Sequence, residues 1–259
     1  MALGLVAAMT LGWLLARRPG SSGLMDVVWS YATAAAGAWG ALAPLPGANA
    51  ARQGLVALLA LAWGLRLGTH IWWRGRGGHD DPRYAALMRQ WGAKADLRLF
   101  QFAQIQAFCA LVLASAIALA ARVPGPFGQW SDWAGIAVLV IAVAGEGLAD
   151  AQLAAYRARP EHRGGVCDRG LWSLSRHPNY FFEWLAWMAW PVIAIGAAPG
   201  LVASWFTLAA PLLMYWLLVH ASGIPPLEAH MRRSRGAAFV ETTTRIRAFW
   251  PIPMRRKLP

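Results

Sequence analysis

A chain of 259 residues that is 58% hydrophobic, 14% charged and carries 16 tryptophans has more apolar surface than one soluble core can cover, since soluble domains run nearer a quarter charged. Its net charge of +12 would point to nucleic acid in a soluble protein. Here the basic residues fall in short segments between apolar runs, the pattern that orients membrane proteins, and no aromatic-spaced basic motif of an RNA binder is present. Cys109 in an apolar run and Cys167 in a polar one form no disulfide framework and read as free thiols.

Seven apolar runs follow along the chain: 2–16, 24–44, 53–73, 97–121, 133–156, 181–198 and 201–222. Most approach the ~20 residues that cross the hydrocarbon layer. They are too long and too continuously apolar for barrel strands, so helices are the way to satisfy their backbone in lipid. The first run has no basic residue before it and Arg17 and Arg18 after it, the reverse of a secretory signal, and is read as a retained helix. Pro199 and Gly200 part the last two runs as a tight hairpin. The expected fold is therefore all-α, a single polytopic domain of seven transmembrane helices.

With seven spans, the segments after the first, third and fifth helices and the C-terminal tail share one face. They hold two, six, five and eight Lys or Arg residues, against Arg52 and Arg122 on the other face. By the positive-inside rule the N-terminus lies outside and the C-terminus in the cytoplasm, as expected of a bacterial inner-membrane protein. The two longest loops, 74–96 and 157–180, and the tail share that cytoplasmic face, so polar chemistry is expected there.

Four groups of residues carry that expectation. Asp26, two residues into the second span, suits a helix start, where the dipole favours a carboxylate. Arg74, Gly75, Arg76, Gly77 and Gly78, followed by His79-Asp80-Asp81-Pro82-Arg83-Tyr84, join close-approach glycines to arginines that can fork onto phosphate. Contact with lipid headgroups is the plain alternative. Glu146 and Asp150 are four apart on one face of the fifth span, ~10–16 Å inside its cytoplasmic boundary at 1.5 Å per residue. Carboxylates at that depth face a polar cavity or a basic partner, Arg66 and Arg74 being the candidates. The block Ser175-Arg176-His177-Pro178-Asn179-Tyr180, with Glu183 four residues after Asn179, places a proline in the first turn of the sixth span and offers the free N–H groups of a helix start to an anion. Asp132 is expected to cap the fifth span, and the tryptophans to be mostly lipid-facing or interfacial. No metal-ligand spacing or nucleophile motif is visible.

Taken in order, the segments RLGTHIWWRGRGGHDDPRY (66–84), Gln104 in the fourth span, EGLADAQLAAYR (146–157), GLWSLSRHPNYFFEW (170–184) and SGIPPLE (222–228) resemble the bacterial relatives of steroid 5α-reductase. These are membrane enzymes that reduce an enone double bond with NADPH. The resemblance, from Leu24 to about Pro251, implies seven helices, a substrate side over 24–122 and a cofactor side over 133–259. It implies that Asn179, Glu183 and Asp150 contact the cofactor, that Glu146 and Arg74 stand where animal members carry Asn, and that Arg66 matches a family arginine. Arg76, Arg176, His177 and Tyr180 join this expected cofactor-binding set. On the substrate side the family's Gln-Glu pair and tyrosine fall at Met25-Asp26 and Trp63. Asp26, as a protonated donor, and Trp63, through its indole N–H, are thus the expected catalytic pair; the family's tail tyrosine and histidines find their nearest counterparts in Glu228 and His230. The expected partners are a lipophilic small molecule and membrane lipid, with no nucleic acid. The Arg-His-Pro-x-Tyr block also resembles membrane methyltransferases that use S-adenosylmethionine. That activity, and a non-catalytic membrane relative, are the alternatives.

Overall fold

The computed structural model describes residues 1–76 and 80–254; Gly77, Gly78 and His79 of the glycine–arginine segment lie outside the described residues. The described residues are helical with no strand. In chain order they form α1 (Ala2–Ala16), α2 (Leu24–Leu42), α3 (Ala50–Gly75), α4 (Pro82–Trp91), α5 (Ala95–Arg122), α6 (Trp130–Arg157), α7 (Pro178–Ala197), α8 (Val202–Trp205), α9 (Ala209–Trp216), α10 (Ile224–Arg235) and α11 (Ala237–Arg245). Short 3-10 turns and one π-turn join some of them.

Among the described residues five stretches are long and apolar enough to cross a membrane: Ala50–Gly75, Pro82–Arg122, Trp130–Arg157, Pro178–Ala197 and Val202–Arg235. They mark an integral membrane protein. The count expected from the sequence is seven. The two helices outside the five are α1, which is apolar but has 15 residues, and α2, which has 19 but carries Asp26, Ser30, Tyr31 and seven Ala or Gly residues in its second half.

The chain divides into two compact units. The first comprises Met1–Ile136 and Trp190–Ala210. Its helices α1, α2, α3 and α5 pack mutually, and the closeness is set by small residues. A Cβ on Gly64 would fall 2.2 Å from the Ala34 Cβ, one on Gly68 2.6 Å from the Tyr31 ring, and one on Gly37 2.6 Å from Ile117. In lipid, where no hydrophobic force separates helix from solvent, such close approach supplies the packing energy. One end of this unit is locked by Arg52. Its guanidinium donates to Asp132 Oδ1 and Oδ2 at 2.7 and 3.1 Å and to the carbonyls of Val123, Gly125 and Pro126, and both charged side chains are 0% exposed. Asp132 also accepts the N–H groups of Gly128 and Gln129. It caps α6 as expected, with a buried cation added.

The second unit comprises Ala137–Ala189 and Pro211–Pro259. Its helices α6 and α7 meet at Gly145, where a Cβ would lie 2.3 Å from the Phe182 ring. An aromatic cluster of Phe181, Trp184, Tyr215, Phe249 and Trp250 joins α7, α9 and the tail. Pro211 sits in α9 without an N–H for the Thr207 carbonyl, and the chain just before it is a 3-10 turn, Phe206–Leu208, rather than α-helix. The π-turn Leu217–Ala221 is closed by the N–H groups of Ser222 and Gly223, which both reach the Leu217 carbonyl. Several tryptophans depart from the expected interfacial role: Trp63, Trp187 and Trp190 are fully buried, their indoles filling the space that the many alanines leave.

Candidate functional site

Two polar clusters stand out, one in each unit. In the first unit the cluster forms around Asp26. The Asp81 carboxylate caps α4 by accepting the Arg83 N–H, and Pro82 occupies its first turn. That cap starts a helix in what reads from hydropathy as a loop, and it aims Arg83 and Tyr84 at α2. The Arg83 guanidinium donates to Asp26 Oδ2 at 2.7 Å and to both Asp81 oxygens at 3.0 Å. The Tyr84 hydroxyl donates to Asp26 Oδ1 at 2.6 Å. Gln106 Nε2 lies 3.4 Å from Asp26 Oδ1 and 3.3 Å from the Tyr84 oxygen. Burial would raise the Asp81 carboxyl, but its bonds to Arg83 and that cation's charge bring it below the ordinary range. Tyr84 is 3% exposed, packed among Leu5, Met9, Met25, Leu99 and Ala103.

Asp26, expected as a donor, accepts through both of its oxygens here. The phenol that touches it is that of Tyr84. The Trp63 indole is buried edge-on to Trp29, 6.3 Å between centroids. Trp29 donates to the Gln106 carbonyl at 3.2 Å. Gln104, singled out in the sequence, donates to Thr10 at 3.3 Å; the glutamine that reaches the cluster is Gln106, two residues on. Tyr84 closes the segment 66–84. Its link to Asp26, 58 residues away, had no local signal. Beside the cluster in sequence, Val27 and Val28 join Leu15, Leu24, Tyr31 and Trp72 around an open apolar crevice of about 360 Å³.

Of the other first-unit candidates, Arg66 is half-buried on α3. Arg74 is exposed in its last turn. Arg76 stacks over the rings of Trp72 and Trp73 at 3.9 and 4.5 Å, a cation on an aromatic pair.

In the second unit, His177 precedes Pro178 at the start of α7, its carbonyl accepting the N–H groups of Tyr180 and Phe181. The side chains before the helix clasp the chain's own tail. Ser175 Oγ lies 3.1 and 2.9 Å from the carbonyl oxygens of Ala248 and Phe249 and accepts the His177 N–H. The Arg176 backbone donates to the Arg247 carbonyl, and its guanidinium to Ile246 and to Glu228 at 2.8 Å. His177 Nε2 lies 2.9 Å from the same Glu228 oxygen, and Tyr180 stacks on its ring. Burial pulls the imidazole below its ordinary value near 6.5, against the upward pull of Glu228. The neutral ring thus donates Nε2–H to the carboxylate.

One turn further, Asn179 Nδ2 donates to Asp150 Oδ1 at 3.4 Å, and Glu183 Oε1 accepts the Trp187 indole N–H at 3.0 Å. Glu146, on the same face of α6 as Asp150, is buried, as is Glu183. The structure therefore divides the expected cofactor set of this unit. Asn179 meets Asp150 between α7 and α6, which Gly145 draws together, with Glu183 and Glu146 buried four residues along each helix, while Arg176 and His177 hold Glu228 and the tail. Among the described residues no group of three or more His, Cys, Asp or Glu is placed to hold a metal.

Residues 12–245 match the family described as "Protein of unknown function (DUF1295)". The chain belongs to DUF1295, a steroid 5α-reductase-like family. No curated protein matches it, and no solved structure does. The match takes in both clusters, from Asp26 to Glu228, so the acceptor–phenol cluster and the α6–α7 carboxylates both belong to the part of the chain that DUF1295 describes.

Proposed function

We propose that this DUF1295 protein is a membrane reductase that uses NADPH to saturate a carbon–carbon double bond conjugated to a ketone in a lipophilic, steroid-like substrate. The observation that carries the reading is the buried Tyr84 hydroxyl, 2.6 Å from Asp26. A phenol fixed by a carboxylate within an apolar bundle suits a ketone oxygen on which negative charge develops. In the accompanying topology α1 and α2 also span, the N-terminus lies outside, and the Arg-rich ends and tail lie in the cytoplasm of a bacterial inner membrane.

The α6–α7 residues fit a dinucleotide by their donor set. The carboxylates of Asp150 and Glu183 accept from ribose hydroxyls, and the Asn179 amide both donates and accepts, as a carboxamide requires. NADPH, when bound, supplies the hydride. The chain's residues do the rest. Arg83 and Gln106 fix Asp26, and Asp26 orients the phenol. A substrate ketone that reached Tyr84 would take over the phenol hydrogen bond now given to Asp26, which would draw the enone's electrons toward oxygen and leave its β-carbon open to reduction. The proton that completes saturation at the α-carbon would come from water, and Tyr84 would keep its own.

The test is ligand binding by the purified protein in detergent, with NADPH and S-adenosylmethionine offered separately. Saturable NADPH binding, lost in Asn179→Ala and Glu183→Ala, supports the reading. Binding of S-adenosylmethionine alone turns it to methyl transfer. Binding of neither leaves a non-catalytic membrane protein.

A further inference from the structure

At the C-terminal end of α6, the chain folds back on the helix and encloses an open cleft of about 220 Å³. Gln152, Tyr156, Arg159, His162, Cys167 and Arg169 line it, all within the second unit. The lining is unusual in what it lacks: it has no carboxylate. Its polar side chains are an amide, a phenol, an imidazole, a thiol and two guanidiniums.

The cleft is preformed rather than a gap between mobile chains. The His162 ring lies flat on Tyr156, 4.0 Å between centroids and 9° between planes, and its Nδ1 is 3.1 Å from the Tyr156 carbonyl. An Nδ1–H bond there leaves Nε2 as the ring atom open to a ligand. Gln152 accepts the Leu171 N–H through Oε1 at 2.9 Å, which leaves its amide N–H groups for another partner. The loop closes tightly on this platform because two of its residues are glycines. A Cβ on Gly165 would fall 2.6 Å from the Tyr156 oxygen, and one on Gly170, at φ +59, 2.6 Å from Gln152.

The neighbouring charges leave the two arginines available. Asp168 pairs with Arg245 at 3.7 Å, and neither Arg159 nor Arg169 has a side-chain hydrogen bond or ion pair with the described residues. A helix C-terminus by itself repels anions. Here the Tyr156 carbonyl is already met by the Arg159 N–H and the His162 ring, and the two exposed guanidiniums of Arg159 and Arg169 add positive charge beside it. A phosphate matches the guanidinium forks of Arg159 and Arg169 and the remaining amide N–H groups of Gln152.

We infer that this cleft binds a phosphate ester, with Arg159 and Arg169 as its anion clamp and the Tyr156–His162 stack as its floor. The site lies at the end of a 28-residue apolar helix, the depth at which phospholipid headgroups lie. The phosphate belongs to such a headgroup or to a soluble ester. The inference stands apart from the reductase reading and needs no bound dinucleotide.

Cys167 supplies the readout. In a Cys109→Ser background it is the single thiol, and because burial pushes it up its maleimide alkylation is followed at alkaline pH. The protein is placed in nanodiscs of phosphatidylcholine, of phosphatidylcholine with phosphatidic acid, or of phosphatidylcholine with glycerol 3-phosphate added. Severalfold slowing by phosphatidic acid alone identifies a headgroup, and slowing by glycerol 3-phosphate a soluble ester. Either effect disappears in Arg159→Gln/Arg169→Gln, whose unprotected rate reports that the cleft still folds. No slowing by either probe, or slowing that survives the double substitution, overturns the inference.

Discussion

In the first unit a cation and an anion, Arg52 and Asp132, are sealed from solvent with every donor of the guanidinium met by oxygen. In the second unit Arg176 and its carboxylate partner, Glu228, keep 10% and 12% of their side-chain surface exposed, and Glu228 is shared with a neutral histidine. Both ion pairs join segments distant in sequence, but they do so under different constraints. A sealed pair has no water to replace a missing partner, so it fixes its end of the bundle permanently. A pair at the edge of solvent, with a titratable neighbour, holds the tail in a way that depends on conditions. The first unit's polar groups support an apolar interior, while the second unit's arrange a surface end.

The largest effect is expected where that contrast is sharpest. Arg52→Ala leaves Asp132 buried without its cation and should destabilise the protein by about 3–5 kcal/mol, read as a large fall in unfolding temperature in detergent. Arg176→Ala leaves Glu228 with His177 and a narrow opening to water and should cost less; equal losses would break the comparison. Tyr84→Phe preserves the packing of the ring and removes the donor to Asp26. On the reductase reading it lowers kcat by about 10²–10³-fold, with NADPH affinity unchanged. A variant of normal turnover would remove Tyr84 from the chemistry.

Gly145→Ala puts a methyl into the Phe182 ring and should cost about 1–3 kcal/mol by overpacking. It should also weaken NADPH binding through the displaced Asp150 and Asn179, whereas Gly147→Ala, with open space around it, serves as the silent control. The smallest effect concerns pH. His177 is held neutral with its pKa below 6.5, so the unfolded chain takes up its proton first as pH falls. Its contribution is complete above about pH 6.5 and declines below it until the folded value is reached. Limited proteolysis of the tail should therefore quicken below pH 6.5 in the wild type, and His177→Gln should flatten that dependence.

Much of the helical order is legible in the sequence because apolar length is a local property. The run 2–16 is α1 to the residue, and α6 and α7 begin and end within three residues of their runs. Asn49 starts α3 three residues early by accepting the N–H groups of Ala51 and Arg52, a cap that hydropathy does not register. The helices α4, α10 and α11 were missed for a related reason. They are short and polar, and what makes them helical is a cap, a proline or a packed face rather than apolar length.

The sequence by itself determined the membrane class, the helix order, the segregation of basic charge and the residue types present in both clusters, because composition and spacing act along the chain. Only the tertiary structure decided the partners. It joined Tyr84 and Gln106 to Asp26 across 58 and 80 residues, turned Arg176 and His177 toward Glu228 and the tail, and placed Asn179 on Asp150. A buried polar group takes whichever donor or acceptor packing brings within 3 Å, and in lipid no water stands in for one that packing leaves out.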